Sequence, residues 1–110
     1  MSGAERLALF WEEDGQARYV PIPEVGALYV GRDPECDVAI PDGALSRRHA
    51  MVLGRGGRAY LRHLSKTNGT YLNGKFVASE VELHAGDELW LPVALVRVVR
   101  LEDVESRVGD

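Results

Sequence analysis

Arg32, Ser46, Arg47, Thr67 and Asn68 are the residues of this chain with the chemistry of an anion site. They fall in two short runs, Gly31-Arg32 through Ser46-Arg47-Arg48-His49 and Thr67-Asn68-Gly69-Thr70 through Asn73-Gly74, where arginines, hydroxyls and a carboxamide stand among glycines. A phosphate on a peptide carries about two negative charges and three acceptor oxygens. A site for it needs guanidinium forks, O–H and N–H donors, and glycines that let backbone approach. The two runs supply each of these parts.

The charge distribution points the same way. Net charge is -4, which argues against wholesale nucleic-acid binding. Between Gly43 and Lys75, however, stand seven basic residues (Arg47, Arg48, Arg55, Arg58, Arg62, Lys66, Lys75) and no acidic one. This locally cationic segment is either a solvated face of strands and turns or part of an anion site, and the polar loop residues inside it favour the second.

These side chains need a scaffold, and the patterning is that of an all-β domain. Strand-like runs recur every eight to twelve residues or so, and no sustained helical periodicity interrupts them. Strands are expected over Arg6 to Glu12, Ala17 to Ile22, Ala27 to Gly31, Val38 to Ile40, Ala50 to Leu53, Arg58 to His63, Thr70 to Leu72, Lys75 to Val77, Glu88 to Leu91 and Val93 to Leu101. Glu13-Asp14-Gly15 and Gly54-Arg55-Gly56-Gly57 read as hairpin connections, and Asn73-Gly74 as a type I′ turn. Alternation places Leu7, Leu9 and Trp11 on one face of the first strand, and Val96 and Val98 opposite Leu95, Arg97 and Val99 on the last. The chain of 110 residues, 45% hydrophobic, suits one domain over 1–101 followed by a polar, disordered tail or linker stub over 102–110. No apolar run is long enough to span a bilayer. With no secretory signal between Met1 and Arg6 and one cysteine, Cys36, the expected setting is cytoplasmic.

The run GR-x13-SRRHA, followed by KTNGTYLNG and a later Gly86-Asp87, closely resembles the forkhead-associated (FHA) domain over roughly Ala27 to Leu91. The resemblance implies an eleven-stranded β-sandwich of two mostly antiparallel sheets, whose apical loops bind phosphothreonine peptides without catalysis or cofactor. It assigns phosphopeptide contacts to Arg32, Ser46, Arg47, Thr67 and Asn68, and support of the loops to Gly31, His49, Gly69, Asn73 and Gly74. Three positions depart from the family pattern: Lys66 stands where serine is common, His63 where an aspartate often precedes the loop, and Pro92 where glycine often follows the late strand.

Plainer readings exist for each residue. Arg32 could pair with Asp33 or Asp37, Ser46 could cap its own turn, and Asn68-Gly69 could be a simple hairpin turn. Arg48, alternating with Arg47, reads as peripheral charge. His49 with Ser46 lacks the orienting acid and oxyanion pocket of a nucleophilic site. His49, His63, His84 and Cys36 show no metal-ligand spacing. Cys36 reads as a small filler, and the Asn68-Gly69-Thr70 sequon as chance.

Function therefore reduces to a phosphothreonine-dependent recruitment module downstream of a Ser/Thr kinase, a phosphate-independent scaffold of the same fold, or, less well supported, a nucleic-acid surface; no membrane partner is expected. The chain's only threonines are Thr67 and Thr70, inside the proposed loop. The phosphothreonine ligand is accordingly expected on another chain.

Overall fold

A computed structural model describes residues 5–108; the leader reading at Met1 to Ala4 and the tail end Gly109-Asp110 lie outside it. The strands are β1 (Leu7–Glu13), β2 (Gln16–Pro21), β3 (Gly26–Gly31), β4 (Val38–Ala39), β5 (Ala50–Arg55), β6 (Arg58–His63), β7 (Tyr71–Leu72), β8 (Lys75–Phe76), β9 (Val81–Leu83), β10 (Glu88–Leu91) and β11 (Ala94–Arg100), and helix α1 (Leu101–Val108) follows. They form two sheets, ordered β2-β1-β11-β10-β7-β8 and β4-β3-β5-β6-β9. Every pairing is antiparallel except β3 with β4. The architecture is the all-β, eleven-stranded sandwich that the sequence resemblance implies.

Alternating strand residues fill the space between the sheets. Leu9 and Trp11 of β1, Leu28 and Val30 of β3, Val52, Leu61, Leu89, Val96 and Val98 are buried in one cluster, with Leu7 packed against it. The turns behave as their residues dictate. Asp14 and Gly15 (φ 53° and 79°) and Asn73 and Gly74 (φ 51° and 86°) are left-handed, as a two-residue hairpin turn requires.

Two elements differ from the sequence reading. β9 is an edge strand of only three residues, too short to show an alternation of its own. The expected disorder after Leu101 is corrected over Leu101–Val108, which is helical. Leu101 and Val104, one helical turn apart, are both buried, and the Leu101 N–H continues the sheet ladder to the Arg6 carbonyl at 2.9 Å. Glu102 and Asp103 occupy the first turn, where the helix dipole favours acidic groups.

For the site, the register of the five-stranded sheet matters most. Val30 pairs with Ala50, and Ala50 with His63. The end of β3, the start of β5 and the end of β6 thus share one end of the sandwich. Two connections, β4 to β5 and β6 to β7, leave from that end side by side.

Candidate functional site

Five hydrogen bonds lock these two connections together, one of them from the Leu64 N–H to the His49 carbonyl at 3.0 Å. Asn68 Nδ2 donates to the Ala44 carbonyl at 2.7 Å, Ser46 Oγ lies 2.6 Å from Ser65 Oγ, His49 Nε2 is 3.0 Å from the Gly69 carbonyl, and the Ser65 N–H reaches the His49 carbonyl at 3.1 Å. The first loop is itself fastened to β3. Arg32 and Asp33 N–H groups donate to the Ser46 and Arg47 carbonyls at 3.0 and 3.2 Å. Gly31 permits this approach, since a Cβ there would overlap the Arg47 carbonyl oxygen.

His49 is the buried pin. Its Nδ1 accepts the Ser46 N–H at 3.2 Å, which leaves the ring proton on Nε2 to donate to Gly69. A ring with both nitrogens spent on loop backbone, fully buried, has no nitrogen left to act as a base toward Ser46. His63 lies beside it, ring centroids 5.8 Å apart, with Nδ1 at 2.8 Å from the buried Thr70 hydroxyl. Burial, then the neighbouring His49, hold the His63 pKa below its ordinary value, against a backbone hydrogen bond with Ser65 that raises it.

Ser65, not singled out from sequence, is the hub of the second loop. Its Oγ accepts N–H bonds from Thr67 and Asn68 at 3.2 and 3.3 Å, and Thr67 Oγ1 is 3.3 Å away. With its lone pairs facing two N–H groups, Ser65 has its own proton to give, and Ser46 Oγ is the nearest acceptor. Ser46 then keeps its hydroxyl proton for an outside acceptor. The signal in the sequence was a serine two residues before Thr67, the spacing of a hydroxyl that bonds nearby backbone.

The remaining candidates stand at the same end. Arg32 is exposed and donates from Nε to the Leu45 carbonyl at 3.1 Å, which leaves its two terminal nitrogens unpartnered among the described residues. Asp33 and Asp37 instead accept the Glu35 and Tyr29 N–H groups, so the ion pair considered for Arg32 does not form. Arg47 and Thr67 are exposed. Asn68 spends a donor on Ala44 while its Oδ1 faces no partner among the described residues. Asn73 and Gly74 are not at this end of the network: Asn73 ties the β7–β8 turn to the start of β10, through Asp87 Oδ1 and the Glu88 N–H, both at 2.9 Å. Arg48 stacks over the Tyr29 ring at 4.3 Å.

Electrostatics divide the cationic segment in two. Arg55 and Arg62 pair with Glu80 and Arg58 with Glu82. No carboxylate lies within ion-pair distance of Arg32, Arg47, Arg48, Lys66 or Lys75 among the described residues. Positive charge left uncompensated in this segment is thus concentrated on the loops, with Lys75 apart from them at the β7–β8 edge. A concavity of about 840 Å³, between α1 and the outer face of β11, is lined by Phe10, Leu95, Val99 and Val104 and by no residue of either loop.

Comparison with known proteins agrees with this geometry. The family model described as FHA domain matches residues 28–92. The chain is 41% identical over 75 residues to the oxoglutarate dehydrogenase inhibitor of Corynebacterium diphtheriae, covering 61% of this chain and 52% of that protein. Among solved structures, one described as an analysis of phosphothreonine-dependent FHA domain interactions superposes with a TM-score of 0.75 at 31% identity, covering 86% of this chain and 95% of the other. The FhaA FHA domain, complexed with the intracellular domain of Rv3910, superposes with a TM-score of 0.74 at 32% identity, covering 84% and 98%. The chain spans between 3% and 52% of the length of the curated relatives it matches. No helix of the described residues is long and apolar enough to cross a membrane. With the motif blocks, the sandwich and its paired loops all in agreement, the chain belongs to the FHA domain family.

Proposed function

We propose that this domain recruits proteins carrying phosphothreonine, made by a Ser/Thr protein kinase, in the cytoplasm. The observation that carries the reading is the lock between the two loops: it fixes Ser46, Thr67 and Asn68 beside the unpaired fork of Arg32. Arg32 supplies the permanent charge and the planar pair of N–H groups. Ser46 and Thr67 supply hydroxyl donors, Asn68 Oδ1 accepts a peptide N–H, and Arg47 adds a second cation at the rim. Gly31, His49 and Gly69 hold the loops in place, while Asn73 and Gly74 brace the adjoining turn.

Each charge-assisted hydrogen bond to phosphate contributes about 1.5 to 3 kcal/mol. Choice of threonine over serine needs more than burial of the γ-methyl, which contributes only about 0.8 kcal/mol. A steric or conformational contribution has to supply the rest. The FHA domain is a binding module rather than an enzyme family, and this reading requires no cofactor. Calorimetric titration with paired peptide pools, phosphorylated and unphosphorylated on threonine, tests it. Binding of the phosphorylated pool alone supports the reading, and equal binding of both discards it.

A further inference from the structure

An aromatic row on the outer face of the six-stranded sheet adjoins the loop network at one end, where the Phe76 ring packs edge to face on His63, centroids 5.5 Å apart. Cross-strand pairing sets Trp90 of β10 opposite Tyr71 of β7, and Tyr71 opposite Phe76 of β8, so all three side chains share one face. They are 44%, 44% and 53% exposed. The Tyr71 and Phe76 rings meet edge to face, centroids 5.8 Å apart. Trp and Tyr half-exposed in one row are the residue types that dominate binding energy at protein interfaces.

The row is continuous with the phosphate loops. A Cβ on Gly69, next to Asn68, would lie 2.8 Å from the Tyr71 ring and 3.3 Å from Phe76. Tyr71 lies one strand spacing from Phe76 on one side and one from Trp90 on the other, so the row spans about 10 Å end to end. Its size excludes a stable dimer as its main purpose. About half of three aromatic side chains is on the order of 300 Å², against roughly 800 Å² per partner in a stable interface. A patch that small works when another contact has already brought the ligand in.

We infer that the Phe76-Tyr71-Trp90 row binds an apolar side chain of the phosphothreonine ligand, in a flanking segment more than three residues from the phosphothreonine. The inference rests on the phosphothreonine reading above. The row's span sets the distance, since an extended chain covers about 3.3 Å per residue. The occupant is an extended segment with an aromatic or large aliphatic residue.

Two degenerate phosphothreonine peptide pools test this, one with three random positions on each side and one with eight. The longer pool is expected to bind more tightly and to be enriched in aromatic and aliphatic residues beyond the third position. Trp90→Ser and Phe76→Ser should each remove that enrichment and weaken the long pool by roughly tenfold; Trp90→Ser, away from His63, should leave the short pool unchanged. Both side chains are exposed, and circular dichroism and thermal melting verify folding. Trp90 emission should shift to the blue with the long pool only. Enrichment that persists in both variants overturns the inference. So does a concentration-dependent dimer, free of peptide, that Trp90→Ser abolishes: the row would then be a self-association face. Failure of the parent reading looks different, because Arg32→Ala would then leave both pools bound.

Discussion

Ser46 Oγ stands 2.6 Å from Ser65 Oγ, nineteen residues apart in the chain and on separate loops. Two backbone N–H groups at Ser65 Oγ occupy its lone pairs, so that Ser65 donates, Ser46 accepts, and the Ser46 proton is free for another acceptor. Ser65→Ala removes the loop tie. Phosphopeptide affinity is expected to fall by about tenfold, with a stability loss of about 1 to 2 kcal/mol from the stranded N–H groups. Ser65→Thr keeps the hydroxyl and should restore affinity. Calorimetry and urea unfolding on both variants check this.

Asn68→Ala cuts the bridge to Ala44. Asn68 is exposed, so the stability change is expected to stay within about 1 kcal/mol, while the ligand loses a backbone contact and a pre-set loop. Affinity should drop by tenfold or more. Asn68→Asp, which replaces the donor with a negative acceptor near the phosphate, should bind more weakly than Asn68→Ala.

Gly31→Ala places a methyl against the Arg47 backbone, with its Cβ 2.8 Å from the carbonyl carbon. Backbone cannot yield as a side chain can. The expected loss is about 3 kcal/mol, read as a lowered urea midpoint, with phosphopeptide binding weakened because the same movement carries Ser46.

His63 makes stability depend on pH. Its folded pKa lies below the ordinary 6.5, with burial the first cause. Below about 6.5 the unfolded chain takes up a proton that the folded chain resists, so stability falls as pH drops, until the folded group protonates as well. Above that value the contribution is complete and flat. Urea midpoints at pH 7.5 and 5.5 should differ more in the native protein than in His63→Asn, which keeps a polar partner for Thr70 without titrating.

Lys66 and Arg58 separate free charge from compensated charge. Lys66→Ala is expected to weaken phosphopeptide binding about twofold at low salt, fading as salt screens the contact. Arg58→Ala should leave it unchanged, since Glu82 already holds that guanidinium. Unchanged affinity for Lys66→Ala at low salt discards a role for this residue.

The strands were legible where a face alternates over five or more residues, as in Leu7–Glu13 and Ala50–Arg55, and the turns where Asn-Gly or Asp-Gly demands positive φ. Arg32, Ser46 and Asn68 were legible as chemistry from their residue types, and as neighbours only through the resemblance to the FHA domain. What joins them is the β3-β5-β6 register, a tertiary fact. Ser65 escaped because its partners are backbone groups and a serine on another loop, which no local spacing displays. The helix Leu101–Val108 escaped because its described side chains show only Leu101 and Val104 buried, in a charged run that the sheet alone makes worth folding. Asn73 looked like support for the binding loop, and its bonds go to Asp87 and Glu88 instead.

The central claim is that one phosphate is held between Arg32 and the two locked loops. The most direct measurement is calorimetric titration of the native protein and Arg32→Ala with a phosphothreonine peptide pool and its unphosphorylated counterpart. The account predicts binding only for the native protein with the phosphorylated pool, with Arg32→Ala folded and at least a hundredfold weaker. Equal affinity of the native protein and Arg32→Ala for the phosphorylated pool would contradict it.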